Sequence, residues 1–241
     1  MPDFSKRDTT PELMDIEVVS YEELRGALRQ LTQANELSFA YRPTLSFFKR
    51  LAREGRLAQS RPIIVIDAAS GYGDMSRKVD AWAARNGINL EFVGVDMNPW
   101  AGRAAAEATA PGRPLRWVTA NLFDFRIEGG ADIIMSSLFT HHLPNPDLVR
   151  FLRWMEENAR IGWFINDLER HPLPYYFLKF AFWATRRHRF MRHDGPVSIA
   201  RAFKRQDWVR LLHKAGLREG ATRIESWMPF RLCISRIKDG P

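Results

Sequence analysis

Cysteine is nearly missing from this chain. Cys233 stands alone, so no internal disulfide can form, and a reducing, cytoplasmic setting is expected. Long apolar runs are missing as well. The most apolar stretch, YYFLKFAFWAT from Tyr175 to Thr185, carries Lys179 and falls short of the roughly 20 residues that cross a bilayer. Residues 1–15 lack the apolar core of a signal peptide and read as a polar, weakly ordered tail. No Cys/His cluster occurs, and no third carboxylate lies close to Asp167 and Glu169, so no metal site is expected. Internal repeats and low-complexity segments are absent. Acidic residues are in deficit, 28 against 36 basic ones, for a net charge of +8. That balance favours an anionic partner, whether nucleic acid, lipid surface or acidic ligand, or else a merely solvated basic surface.

The 241 residues suffice for one large domain, or one domain with an appendage. SYEELRGALRQL opens with a capping-box pattern, Ser20 and Glu23, followed by Leu24, Leu28 and Leu31 at helical spacing. A second helix is predicted from Pro43 to about Gly55. Residues 1–60 therefore read as a helical cap. From Arg61 strands and helices alternate. PIIVID, LEFVGVD (Leu90 to Asp96), LRWVTAN (Leu115 to Asn121), ADIIMSS (Ala131 to Ser137) and IGWFIND (Ile161 to Asp167) are the strands. This alternation predicts an α/β fold with a parallel sheet covered on both faces. A long mixed insert follows at about 171–197. SIARAFKRQDWVRLLHKAGL then reads as one helix stopped by Gly216, and two final strands imply an antiparallel edge.

The turn DAASGYGD, from Asp67 to Asp74, follows the first strand and opens a helix. Its glycines do not fit the dinucleotide fingerprint in either register, and no Gly-Lys-Ser/Thr ending makes it a phosphate-binding loop. Asp74 also puts negative charge where a pyrophosphate would need a free helix N-terminus. A ligand without phosphate is expected. With Ala69 in place of a glycine, Asp67-x-Ala69-x-Gly71-x-Gly73 resembles the first motif of the class I S-adenosylmethionine-dependent methyltransferases. Asp96 at the end of VGVD, Asn121 and Leu122 in TANLFDF, Ser137 and Leu138 in SSLFTHHL, and DWVRLLHKAGL match the family in order. The resemblance covers about residues 62–238. It implies a Rossmann-like, seven-stranded, mostly parallel sheet with an antiparallel last strand, in a methyltransferase domain at residues 61–241. It also implies S-adenosylmethionine as cofactor, with Asp67 near its methionyl amino group, Asp96 at the ribose, Asn121 and Leu122 at the adenine, and Ala69, Gly71, Gly73, Met97, Ser137 and Leu138 beside the cofactor. PELMD, AYRPT, NDLERHPLPYY and RHDGPVSIARAF further resemble bacterial methyltransferases linked with type III polyketide synthases and secondary metabolism. That likeness implies a small aromatic or polyketide-like acceptor, methylated on a hydroxyl or a carbon.

Removing the proton of a phenol or enol calls for a base, and histidine is the usual one near neutral pH. His141 and His142 follow the fourth strand and His171 the fifth, both at the carboxyl edge where ligands bind in such sheets. Of the adjacent pair, one must point away from the pocket. His171 could equally cap the following turn. His193 and Asp194 form either a base with its orienter or, the favoured reading, a loop-ordering contact. Tyr41 and Arg42 lie between the cap helices, where Arg42 would meet a carboxylate or start a helix. The segment from Tyr175 and Tyr176 to His193 admits three readings. It is a lid over an apolar pocket, an interfacial segment on the inner face of an anionic membrane, or a core-packed helix, and the lid is favoured. Two further functions stay open: a nucleic-acid methyltransferase, against which SSLF replaces the Pro-Pro-aromatic segment of amino-directed enzymes, and a non-catalytic binding protein of the same fold.

Overall fold

A computed structural model describes residues 2–127, 129–218 and 220–238. Seven strands form one sheet in the order β3-β2-β1-β4-β5-β7-β6. They are β1 (Ile63–Ala68), β2 (Leu90–Asp96), β3 (Leu115–Thr119), β4 (Ala131–Ser137), β5 (Ala159–Leu168), β6 (Arg223–Trp227) and β7 (Arg231–Ile237). β1 pairs in parallel with β2 and β4, β2 with β3, and β4 with β5, whereas β7 runs antiparallel to both β5 and β6. Inner strands such as β4, with Ile133, Ile134 and Met135 fully buried, show the unbroken apolar runs that a sheet covered on both faces requires.

The helices are α1 (Leu13–Ile16), α2 (Tyr21–Leu37), α3 (Arg42–Arg53), α4 (Asp74–Arg85), α5 (Pro99–Glu107), α6 (Asn145–Asn158), α7 (Pro172–Ala184), α8 (Arg189–Arg201) and α9 (Arg205–Lys214), with a 3-10 turn at Thr140–His142. One core, between the sheet and α6 and α9, is built around Trp163, Phe151, Trp208 and Ile134. A second gathers Phe47, Phe48 and Leu51 of α3 with Val79 and Trp82 of α4 against Ile63, Val65 and Phe92. Each such side chain, taken out of water, contributes roughly 1.5–3 kcal/mol. Phe47 stacks on Phe164 of β5 at 4.8 Å, and Asn166 of β5 donates to the Ala40 carbonyl (2.7 Å) and Thr44 Oγ1 (3.1 Å). The cap helix α3 thus shares its core with the sheet.

Three expectations change. Residues 198–217 do not form one helix. α8 ends at Arg201, and Ala202 to Lys204 run extended before α9, because Phe203 bridges Glu169 and its carbonyl accepts from the Arg170 N–H at 3.2 Å. Nor is the N-terminal segment a loose tail. Arg7 donates to the carbonyls of Arg201, His141 and Leu143 at 2.8–3.1 Å and to Asn145 Oδ1, and stacks over Phe203. The insert after β5 is not mixed: it is the helix pair α7 and α8. Among the described residues, no helix is long and apolar enough to cross a membrane.

Candidate active site

The carboxyl ends of β1 and β4 open onto a cleft, and Asp96 at the end of β2 is bonded to Gly71 of its lining. The floor of the cleft is the turn that the sequence singles out. Asp67, fully buried at the end of β1, accepts from Ser76 Oγ at 2.6 Å. Burial pushes its carboxyl up to about 7, partly countered by the Ser76 hydroxyl. A cation in the cleft would restore its charge. Asp96, at the end of β2, accepts from the Gly71 N–H (2.8 Å) and, through its other oxygen, from the Asn98 N–H (2.9 Å). Burial raises its pKa above the usual carboxylate value, and those two backbone donors work against the rise. Each oxygen keeps a second lone pair for a ligand hydroxyl.

The turn's small residues have separate reasons. Ala69 sits at φ 58°, in the left-handed region where glycine is at ease, as the motif's usual glycine would. Gly71 faces open space on the side where a Cβ would stand, leaving room for a ligand against its backbone. Gly73 is small for a protein neighbour instead: a Cβ there, or at Gly94 of β2, would overlap the Trp117 indole, whose Nε1 donates to Thr109 Oγ1 at 3.2 Å. Across the cleft Leu138 also holds a positive φ, 55°. Leu28, Leu31, Thr32 and Asn35 of α2 form the far wall. The cleft is therefore roofed by the N-terminal cap, while no residue of 171–197 lines it.

Tyr41 is buried, and its hydroxyl donates to Asp74 Oδ2 at 2.6 Å, while burial and that carboxylate hold the phenol well above its ordinary range. Arg42 is exposed and lies over the Phe39 ring at 3.9 Å, outside the cleft lining. Met97 is exposed, Leu122 buried, and Asn121 accepts from the Phe123 N–H at 3.0 Å in its own turn. His171 caps α7, its ring nitrogen accepting from the Leu173 N–H at 3.1 Å, and stacks on Phe230. His193 meets Asp194 at 2.8 Å, and Asp194 accepts from the N–H groups of Leu13 and Met14, which orders the N-terminal segment. Tyr175 packs edge-on against Phe4, and Tyr176 is half exposed.

His141 and His142 do not diverge: their rings lie 4.4 Å apart, 36° from parallel, neither lines the cleft, and both are held. His141 is fully buried, with Nδ1 2.7 Å from Asp167 Oδ1 and Nε2 3.5 Å from Glu12 Oε1. Burial by itself would lower the imidazole's affinity for protons, but the two carboxylates overcome it and raise its pKa to about 10. Asp167 also accepts from Thr140 Oγ1 and from the His141 and Leu168 N–H groups. Against the cost of burial, His141 draws its carboxyl down to about 2. His142, half-buried, sets Nδ1 2.8 Å from Asp15. Glu12, α2's wall residues and Trp117 escaped the sequence reading. Glu12 lies in PELMD, near the N-terminus, where no motif or spacing marks it.

Residues 65–162 match the family model described as a methyltransferase domain. No curated protein matches the sequence. Among solved structures, the chain is similar to a plantazolicin methyltransferase in complex with S-adenosylhomocysteine (12% identity, TM-score 0.62, covering 90% of this chain and 96% of that one). It is also similar to human N-acetylserotonin methyltransferase in complex with S-adenosylmethionine (12%, 0.64, 92% and 57%) and to the CMeT domain of the citrinin polyketide synthase (11%, 0.60, 83% and 52%). Residues 65–162 are thus a methyltransferase domain, within a chain that has the fold of the class I S-adenosylmethionine-dependent methyltransferases.

Proposed function

We propose that this methyltransferase moves the methyl group of S-adenosylmethionine to a hydroxyl or carbon of a small aromatic or polyketide-like acceptor. The observation that carries the reading is the pair of carboxylates flanking one open glycine turn. Asp67 is buried and short of a cationic partner, and Asp96 has its free lone pairs beside Gly71. Asp67 would face the methionyl ammonium, Asp96 the ribose hydroxyls, and Asn121 and Leu122 the adenine, with Ser137 and Leu138 beside the cofactor. The cofactor supplies an electrophilic methyl on a sulfonium, and the protein's task is to align the acceptor in line with it and exclude water. The α2 wall supports the second part, since Leu28 and Leu31 put apolar surface over the cleft. Neither a histidine free of carboxylate or capping contacts nor a Pro-Pro-aromatic segment stands at the end of β4 or β5, so positioning rather than a dedicated base is the main device, and nucleic acid is not the favoured acceptor.

Calorimetric titration with S-adenosylmethionine and S-adenosylhomocysteine tests the reading. Binding is expected at about one equivalent, and Asp96→Ala should weaken it ~10- to 100-fold, the worth of roughly 1.5–3 kcal/mol for hydrogen bonds to a charged group. Because Asp67 must be ionised to meet a cation, affinity should decline as pH falls through about 7. Absence of binding at millimolar ligand would remove the proposal.

A second reading concerns where the acceptor is met. Leu173, Tyr176, Phe177, Phe180 and Trp183 form an apolar stripe along α7, each 43–67% exposed, and Lys179, Arg186, Arg187 and Arg192 lie on or beside this helix. An aromatic face rimmed by cations suits the surface of an anionic bilayer. The reading replaces the lid, since the stripe faces solvent.

A further inference from the structure

Beyond the cofactor cleft, one cluster has a geometry that neither the fold nor the proposed transfer uses. Glu12, His141 and His142 bring a carboxylate and two imidazole nitrogens within 4.8 Å of one another. His141 Nε2 lies 3.5 Å from Glu12 Oε1, and His142 Nε2 lies 3.8 Å from Glu12 Oε2. Both imidazoles are oriented from behind by the same device. Asp167 holds Nδ1 of His141 at 2.7 Å, and Asp15 holds Nδ1 of His142 at 2.8 Å. A carboxylate on Nδ1 fixes the tautomer whose Nε2 lone pair points the other way, which is the arrangement that prepares histidines for metal ligation. Glu12 is itself steadied by Ser198 Oγ, which donates at 2.8 Å to Oε1.

The opposing lone pairs of a histidine Nε2 and a carboxylate oxygen repel unless a proton or a cation sits between them. At 3.5 and 3.8 Å the gaps are longer than good hydrogen bonds. The geometry points to Glu12, His141 and His142 as a site for a divalent transition metal ion of the Zn²⁺ type, held by two nitrogens and one oxygen. Two imidazoles and a carboxylate suit such borderline ions better than Ca²⁺ or Mg²⁺, which favour oxygen. Three protein ligands leave a coordination position open to water or another oxygen donor. The half-buried side of His142 gives the ion a way in, and the bound ion would fasten the segment before α1 to the turn after β4.

The test uses the full chain, stripped with a chelator and titrated separately with Zn²⁺ and Co²⁺. Binding is followed by calorimetry and, for Co²⁺, by ligand-field absorption. One equivalent should bind with a dissociation constant on the order of 1 µM or tighter. His142→Ala, a substitution at a half-exposed position, should weaken binding ~100-fold, and Glu12→Gln should change the Co²⁺ spectrum. Asp15→Asn, which removes the charge that orients His142 and pairs with Arg201 at 3.6 Å, should cost ~10-fold or more. Circular dichroism of each variant separates lost ligation from lost folding. No binding of either ion at millimolar concentration would mean that a proton on His141 alone fills the gap, and would overturn the site. Equal binding by the parent and a folded His142→Ala variant would overturn it too.

Discussion

Ala69 illustrates how a single residue carries strain at a ligand turn. Its φ of 58° places a Cβ where L-residues are disfavoured by roughly 1–2 kcal/mol, while glycine would instead lose about 0.5–1 kcal/mol more backbone entropy on folding. The difference predicts that Ala69→Gly stabilises the protein modestly, by ~0.5–1 kcal/mol, read as a rise in the thermal midpoint. A destabilised variant would show that the alanine methyl contributes packing which outweighs the strain. Gly73→Ala is not comparable, because its Cβ would run into Trp117. Two small residues of one motif are thus kept small by different forces, backbone conformation at one and side-chain packing at the other. The motif in the sequence does not tell these apart.

At the scale of elements, α7 is the segment whose pattern and placement pull in different directions. Its composition reads as a buried helix or a lid, yet of its residues only Pro174 is fully buried. Its apolar stripe predicts that the protein sediments with vesicles containing anionic lipid and not with neutral ones. Replacing Phe177, Phe180 and Trp183 together by Ser should reduce that binding ~10-fold or more, since each tenfold step needs only about 1.4 kcal/mol. Because these side chains lie in solvent, folding and cofactor binding should be unaffected. Equal binding of the triple variant would assign the stripe another role. Elsewhere the elements were largely readable. The bounds of β2 and β4 coincide with the sequence reading, and Ser20 caps α2 through the Glu23 N–H at 3.2 Å. The break between α8 and α9 was not readable, since Ile199, Phe203, Trp208 and Leu211 keep a helix-like rhythm through it. The bridge to Glu169 that opens the helix comes from a strand end distant in the chain.

For the molecule as a whole, the N-terminal segment is a strap. Arg7 reaches the end of α8, the turn after β4 and the start of α6 with one guanidinium, and Phe4 offers its carbonyl to Arg170 Nε at 3.2 Å. Arg7→Ala should lower stability by roughly 2 kcal/mol, because several hydrogen bonds to a charged group are lost and partly buried carbonyls are left without a donor. In a protein of this size that is ~4–8 °C in the thermal midpoint. Arg7→Lys should rescue little, because an ammonium cannot span the same acceptors as a planar fork. An unchanged midpoint in Arg7→Ala would return the segment to the status of a loose tail.

What the sequence determined by itself is what local periodicity and short spacing encode. It specified the alternating strands and helices, the turn from Asp67 to Gly73, and the acidic residue ending β2, because each depends on neighbours within a few positions. Tertiary structure alone decided which groups meet. Glu12 reaches His141 across more than a hundred residues, α2 rather than the 171–197 helices walls the cleft, and Trp117 explains Gly73 and Gly94. These contacts arise from how separate elements pack on one sheet, and no period in a linear chain records which distant side chains the packing brings within a few ångströms.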